Sequence, residues 1–160
     1  MKENINISTG EVKKGTIGDL LVSNGIGSCI VIAAMNLKKQ IGAVAHFMLP
    51  GKAPDSEVYN KTKYAKDAVD KLLNLLQADM NDLTTIRTCL VGAGNVLIKH
   101  DDTICENNIN SILSIFSDLA IKIDVCALGG INRRSLQFDI ATREVYITEG
   151  DSELKLLIQW

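Results

Sequence analysis

Two apolar segments joined by a short polar turn limit the possible folds of this chain more than any other feature. Residues 29–36 (Cys-Ile-Val-Ile-Ala-Ala-Met-Asn) and 40–49 have the character of β-strands, and the turn between them, residues 36–40, is polar. Strands this close in the chain pair most simply as an antiparallel hairpin. The sequence therefore predicts a β-hairpin at the centre of the fold.

The same hairpin carries a cysteine and a histidine at matching positions. Cys29 follows the turn Gly25-Ile26-Gly27-Ser28, and His46 ends the apolar run 41–46. A hairpin centred between Leu37 and Lys38 pairs residues whose numbers sum to 75, which places Cys29 opposite His46. Directly opposed side chains have Cβ atoms roughly 4.5–5.5 Å apart. We therefore predict a cysteine–histidine pair, in which the imidazole lowers the pKa of the thiol and later protonates the leaving group.

A structural interpretation of these two residues stays open. Buried cysteines mostly act as small hydrophobic side chains, and a lone histidine beside an apolar strand is mostly a core residue with satisfied hydrogen bonds. A slip of one residue in the hairpin would also move His46 to the other face of the sheet. The glycine turn and the matching register together favour the catalytic interpretation.

Composition narrows the class of protein. The chain has 160 residues, with 17 basic and 19 acidic side chains and a formal net charge of −2. We expect one domain spanning residues 1–160, with no basic excess to attract nucleic acid. The first residues lack the apolar core of a signal peptide, and no apolar run is long enough to span a membrane. These features predict a soluble, cytoplasmic protein.

The spacing of the cysteines argues against a structural metal site and against disulfides. The four cysteines, at positions 29, 89, 105 and 126, show neither a C-x-x-C spacing nor a neighbouring pair of histidines. Structural zinc and disulfides are therefore disfavoured. Cys89 and Cys126 lie in apolar strand-like runs and are expected in the core, whereas Cys105 follows a polar stretch and is expected at the surface. Only Cys29 has the surroundings of a nucleophile.

Periodicity along the chain predicts eight strands and two helices. The helices are expected at residues 57–78, capped by Asp55 or Ser56, and at residues 107–118. The strands are expected at about 19–23, 29–36, 40–48, 86–91, 121–128, 134–140, 144–149 and 153–159. This mixture favours an α+β or mixed α/β fold over a doubly wound sheet.

Three glycine-rich segments remain, at residues 25–27, 92–94 and 129–130. None completes the G-x-G-x-x-G pattern that opens a dinucleotide-binding helix. Tight turns with positive φ or close backbone approach are the favoured interpretation. Arg133 and Arg134, which follow the third segment, are expected to form a solvated or substrate-edge charge pair.

Several of these motifs together resemble the CheD family of chemoreceptor glutamine deamidases. The similar segments follow one another in the order of the family: Gly25-Ile26-Gly27-Ser28-Cys29, Gly42-Ala43-Val44-Ala45-His46-Phe47-Met48-Leu49-Pro50, Tyr64-Ala65, Gly92-Ala93, and Gly129-Gly130-Ile131-Asn132-Arg133-Arg134-Ser135. The resemblance implies a four-layer α/β/β/α sandwich of mixed sheets, related to bacterial toxin cysteine deamidases. It also implies hydrolysis of selected glutamine side chains of methyl-accepting chemotaxis receptors, and in some lineages binding of CheC, a phosphatase of CheY.

The resemblance assigns roles to individual residues. Cys29 takes the position of the nucleophile and His46 that of the base, and Ser23 stands where the family usually has a threonine that orients the histidine. Gly27 and Ser28 belong to the turn expected to bind substrate and to help stabilise the oxyanion. No cofactor or metal is implied. The chain departs from the family in the segment 95–110 and at Arg143, where a glycine is typical.

Two other functions remain open from the residues alone. A non-enzymatic chemotaxis adaptor would keep the fold to bind CheC or receptors, with little or no deamidation. A cysteine hydrolase with a different amide substrate would use the same pair of residues.

Overall fold

The computed structural model of the protein describes residues 3–160, which form ten strands and two α-helices. The strands are β1 (Glu3–Asn6), β2 (Val12–Gly15), β3 (Asp19–Ile26), β4 (Ile30–Asn36), β5 (Ile41–Phe47), β6 (Ile86–Gly92), β7 (Val125–Leu128), β8 (Arg134–Asp139), β9 (Glu144–Glu149) and β10 (Lys155–Gln159). The helices are α1 (Ala65–Leu75) and α2 (Ile104–Leu119), with a short 3-10 helix, Lys61–Lys63, before α1. None of the helices in this described part is long and apolar enough to cross a membrane.

The strands form two five-stranded mixed sheets. The first sheet has the order β1-β3-β8-β9-β10, and the second has the order β2-β5-β4-β6-β7. Each sheet contains one parallel pair, β1 with β3 and β6 with β7, and all its other pairs are antiparallel. The predicted α+β class with mixed sheets is confirmed.

The number of layers differs from the predicted architecture. Apolar side chains between the two sheets form one core cluster, which includes Val31, Val44, Leu136 and Phe138. The opposite face of the second sheet packs against both helices in the other cluster. The described residues therefore form three layers, α/β/β. The expected four-layer α/β/β/α arrangement is wrong for them, because α1 and α2 pack on the same sheet.

The predicted hairpin forms between β4 and β5, but its register differs from the expectation. Val31 pairs with His46 and Asn36 with Ile41, so paired residue numbers sum to 77. The turn is centred one position later than predicted, and Gln40 closes it in the left-handed region with a φ of 56°. Cys29 is therefore not directly opposite His46. It lies two positions before Val31, in the turn that precedes β4, and it has no partner in the β4–β5 ladder.

Other helix and strand boundaries differ from the predicted ones where the sequence pattern is weak. Helix α1 begins at Ala65, eight residues later than expected, and its N-cap residue is Tyr64, whose side chain makes no capping hydrogen bond. The segment before it is a loop up to the 3-10 helix Lys61–Lys63, and Leu49 forms an isolated parallel bridge with Tyr64. Two strands were not predicted, β1 and β2. Both have only four residues, and neither shows a clear apolar alternation.

Candidate active site

The turn that carries Cys29 connects the two sheets. β3 ends at Ile26 in the first sheet, and β4 begins at Ile30 in the second. The register of β3 with β8 shifts between Ser23 and Ile26, so the strand is irregular just before the turn. Gly25 lies there with a φ of 65°, a conformation that favours glycine. The chain therefore changes sheets at Cys29.

Backbone hydrogen bonds from the second glycine segment hold this turn. Ala93 N donates to Cys29 O at 2.7 Å, and Gly94 N donates to Gly27 O at 2.9 Å. At Gly92, where φ is 131°, a Cβ atom would lie 2.2 Å from Cys29 O. A side chain at position 92 would therefore displace the turn. The interpretation of this segment as a close backbone approach is confirmed.

Two buried polar side chains fix the surrounding loops. Asn108 of α2 is fully buried, and its Nδ2 donates to Ser28 O at 3.0 Å and to Met48 O at 3.2 Å. Because a trans peptide directs its N–H away from its carbonyl, the bond to Ser28 O orients the N–H of Cys29. Arg134 is also buried, and its Nη1 donates to Gly92 O and Gly129 O. The expectation of a solvated Arg134 is wrong, because its guanidinium satisfies carbonyls inside the fold.

Ser23 and His46 meet across the interface between the sheets. Ser23 lies on β3 of the first sheet and His46 on β5 of the second, and both are buried. The distance between Ser23 Oγ and His46 Nδ1 is 2.9 Å. Ser23 Oγ also donates to Ile7 O at 2.9 Å. The structure thus brings Ser23 into hydrogen-bond contact with the imidazole of His46.

These contacts decide which nitrogen of His46 carries the proton. The Ser23 hydroxyl has one proton, and the Ile7 carbonyl can only accept it. Ser23 Oγ therefore accepts a hydrogen bond from His46 Nδ1–H. In the neutral imidazole this leaves the lone pair on Nε2, the nitrogen available as a base.

Burial keeps the cysteine and the histidine neutral. Desolvation lowers the pKa of His46, although the nearby Ile7 carbonyl opposes that shift. Desolvation raises the pKa of Cys29, and hydrogen bonds from Thr9 and from its own backbone N–H only partly offset this. The expectation of a lowered thiol pKa is wrong, because the removal of water around the sulfur outweighs its polar contacts.

Thr9 is a polar neighbour of the pair that the sequence analysis missed. It lies in the loop between β1 and β2, and its Oγ1 is 3.5 Å from His46 Nε2. Its hydroxyl also lies close enough to the Cys29 thiol to lower the pKa of that thiol. Nothing in the local sequence distinguishes Thr9 from an ordinary turn residue. Its position depends on the pairing of β2 with β5, which no short-range pattern predicts.

Asn108 carried a signal that the sequence analysis did not use. It stands on the buried face of α2, four residues after Ile104 and four before Ile112. A polar residue on an apolar stripe either finds hydrogen-bond partners or destabilises the fold, so it marks a specific contact. The spacing alone would have singled it out, but its partners at Ser28 and Met48 would have stayed unknown.

A cleft of about 310 Å³ opens beside the Cys29 turn. Gly27 and Ser28, the residues expected to bind substrate, line one side of it. Lys99 and the exposed Arg133 contribute positive charge to its lining, and Asp102 contributes a carboxylate. Arg133 thus lies at the edge of a cavity beside the turn that precedes Cys29, and neither Cys29 nor His46 is among the residues that line this cavity. The cleft is open to solvent, which suits a side chain presented by another protein.

The other cysteines occupy different environments from those expected, except for Cys89, which is in the core as predicted. Cys126 is exposed on β7 rather than buried, because β7 is an edge strand. Cys105 is buried rather than exposed, and its thiol donates to Asp102. Burial is the main cause that raises its pKa to about 11. All four thiols are free, and no cluster of metal-binding side chains occurs among residues 3–160.

Comparison with known proteins gives a consistent result. Residues 48–149 match the family described as CheD chemotactic sensory transduction. A probable chemoreceptor glutamine deamidase CheD of Chlorobium luteolum is 31% identical over 152 residues, which are 95% of this chain and 76% of that protein. The chemoreceptor glutamine deamidase CheD of Halalkalibacterium halodurans is 24% identical over 162 residues, covering 96% of this chain and 100% of that protein. A similar protein of Desulforamulus reducens is 24% identical over 157 residues, with 96% and 95% coverage.

Proposed function

The chain belongs to the CheD family, and we propose that it is a chemoreceptor glutamine deamidase that uses Cys29 as its nucleophile. The observation that carries this proposal is the hydrogen bond from His46 Nδ1 to Ser23, which leaves the lone pair of Nε2 available to act as a base. The names of its relatives supply the substrate class. A cysteine–histidine pair supplies the chemistry of amide hydrolysis.

The proposed reaction has two stages. In the first, His46 accepts the proton of Cys29, and the sulfur attacks the Cδ carbon of the glutamine side chain. The backbone N–H of Cys29, oriented through Asn108, is a donor for the developing oxyanion. His46 then protonates the amide nitrogen as its bond to Cδ breaks. Ammonia departs, and a thioester remains on Cys29. In the second stage His46 activates a water molecule, which hydrolyses the thioester to glutamate and restores the thiol.

The test is mass spectrometry of the purified cytoplasmic domain of a chemoreceptor after incubation with this protein. The supporting result is the mass gain of Gln-to-Glu conversion at specific sites with the wild type and none with Cys29→Ala. A receptor domain that binds the wild-type protein but keeps all its glutamines would contradict the proposal. That outcome would favour the adaptor function. Conversion by Cys29→Ala would exclude the cysteine mechanism.

Three finer expectations stay predictions. They are association with CheC, location in the cytoplasm, and the relation of the fold to bacterial toxin cysteine deamidases.

The first mutational prediction concerns Ser23. We expect Ser23→Ala to fold and to lower kcat by roughly 3- to 10-fold, the value of one neutral hydrogen bond. The loss is limited because the Ile7 carbonyl also lies close to the imidazole and helps to hold it. Ser23→Thr keeps the hydroxyl and should retain activity. Single-turnover deamidation with circular dichroism measures both effects. An unchanged rate in folded Ser23→Ala would remove Ser23 from the catalytic machinery.

The second prediction concerns pH. The pKa of His46 is lowered and that of Cys29 is raised. The thiol therefore stays protonated and the imidazole stays neutral over a wide range of pH, so the two residues share one transferable proton. On the acid side, activity should fall only below about pH 6.5, where His46 becomes protonated. On the alkaline side, it should fall above about pH 8.5, where Cys29 ionises and no proton remains for the leaving ammonia. A kcat/KM profile measures both limits. An acid limit clearly above the ordinary pKa of histidine would contradict the burial of His46.

A further inference from the structure

The loop between β1 and β2 holds Thr9 at the reacting atoms. Gly10 N donates to His46 O at 2.6 Å, and His46 N donates to Glu11 O at 3.0 Å. Backbone hydrogen bonds thus connect Gly10 and Glu11, the two residues that follow Thr9, to the backbone of His46. The loop is closed by a hydrogen bond from Glu11 N to Ser8 O, and Ser8 N donates to the Glu11 carboxylate. The position of Thr9 relative to His46 is therefore fixed by the backbone.

A second anchor comes from the segment before α1. Thr62 Oγ1 donates to Gly10 O. Gly10 has a φ of 85°, and a Cβ atom there would lie 2.9 Å from the side chain of Asn60. The loop is therefore packed tightly on the side away from the active site. These contacts hold the backbone of the loop, and with it the Cα atom of Thr9, in place beside His46.

The imidazole of His46 has a hydroxyl at each end. Nδ1 bonds to Ser23, which is fully buried, and Nε2 lies 3.5 Å from the hydroxyl of the exposed Thr9. Within residues 3–160 no direct hydrogen bond joins the Cys29 thiol to His46. The Thr9 hydroxyl lies 3.5 Å from His46 Nε2 and close enough to the Cys29 thiol to lower its pKa. Catalytic hydrogen bonds are commonly long in the free enzyme and shorten when substrate binds.

Resting on the proposed function, we propose that Thr9 is a further catalytic residue, whose hydroxyl bridges Cys29 Sγ and His46 Nε2 and relays the thiol proton. The S–H proton of Cys29 passes to Thr9 Oγ1 as the hydroxyl proton of Thr9 passes to Nε2. Thr9 is neutral before and after the transfer. The products are a thiolate at Cys29 and an imidazolium at His46, so protons and charges balance. After the transfer, the Thr9 hydroxyl stabilises the thiolate by a hydrogen bond.

The test uses two substitutions at position 9 and one matched control. Thr9→Val keeps the β-branched shape and removes the hydroxyl, whereas Thr9→Ser keeps the hydroxyl. Ser8→Ala removes a neighbouring exposed hydroxyl from the same loop. All variants carry Cys126→Ser, which removes the exposed thiol. The two readouts are the pH dependence of Cys29 alkylation by iodoacetamide, and kcat and KM for deamidation of a receptor cytoplasmic domain.

We expect Thr9→Val to lower kcat by about tenfold or more with KM unchanged, since a hydrogen bond to a charged group is lost. Its alkylation curve should move to higher pH, because the thiolate loses a donor. Thr9→Ser should restore both readouts, and Ser8→Ala should match the parent protein. Wild-type behaviour of Thr9→Val, or a Thr9→Ser variant as defective as Thr9→Val, would overturn the proposal.

The alkylation readout separates this proposal from the proposed function. If the parent protein converts no receptor glutamine but Thr9→Val still shifts the alkylation curve and Thr9→Ser restores it, the contact of Thr9 with the pair is supported and the substrate class is wrong. If the parent protein deamidates and Thr9→Val leaves kcat and the curve unchanged, only the role of Thr9 fails.

Discussion

Cys29→Ala is expected to abolish deamidation, with a loss of at least about 10⁴-fold in kcat. The thiol forms the covalent bond to the substrate in the proposed mechanism, and no other cysteine can replace it. Cys89 is fully buried with a pKa raised to about 12. Cys105 is also buried, and its thiol donates a hydrogen bond to the carboxylate of Asp102. The measurement is single-turnover deamidation followed by mass spectrometry, with circular dichroism to confirm folding.

Cys126→Ala is the matched control for this prediction. Cys126 is exposed on the edge strand β7, so its replacement should leave both the fold and the activity unchanged. The same variant simplifies alkylation, because iodoacetamide would otherwise react at the exposed Cys126. In the Cys126→Ala protein, loss of activity should follow modification of Cys29 while Cys105 stays unmodified. Equal labelling of Cys29 and Cys105, or residual turnover in Cys29→Ala, would count against Cys29 as the nucleophile.

His46→Gln should lower kcat by about 10²- to 10⁴-fold, the usual contribution of a general acid–base group. Glutamine is close to histidine in size and retains polar atoms for the contact with Ser23, so the buried site should stay filled. It cannot accept the proton of Cys29. The acid limit of the pH profile should disappear together with the activity, because the titrating imidazole is gone.

His100→Gln provides the control, since the chain has only two histidines and His100 is exposed. It should keep the rate and the pH profile of the wild type. His46→Ala is a second variant, in which loss of the ring also leaves a cavity between the sheets. A folded His46→Gln protein with wild-type turnover would show that another group accepts the thiol proton.

The centre of the fold follows from local patterns in the sequence. The strands β4 and β5 are buried along their whole length and, apart from Asn36 and His46, consist of apolar residues and glycine. The glycines before Cys29 identify its turn. The predicted register was wrong by two residues, because the register of a hairpin depends on the exact position of its turn. The turn ends at Gln40 in the left-handed conformation, and glutamine is not a residue type from which that conformation is predicted. Because strands have a period of two, a shift of two residues keeps the same residues of β4 and β5 on a common face, whereas Cys29 lies in the turn before β4.

The surroundings of the pair depend on contacts between distant parts of the chain. Ser23 was identified through its place in the motif before Cys29, but its bond to His46 exists because β3 and β5 pack together from different sheets. Thr9 reaches the pair through the short strand β2, and Asn108 through helix α2. Local sequence patterns do not encode such pairings, so the contacts of these two residues emerged only from the structure.

Local sequence patterns were enough to predict a mixed α and β fold, the hairpin and the glycine turn before Cys29, because strand periodicity and glycine turns act over a few neighbouring residues. Only the tertiary structure decided the three layers, the neutral state of the pair and the polar groups around it. Layers depend on which sheet each helix covers. The pKa of Cys29 and His46 depends on how much water the packed sheets exclude, a property of the whole fold rather than of any segment.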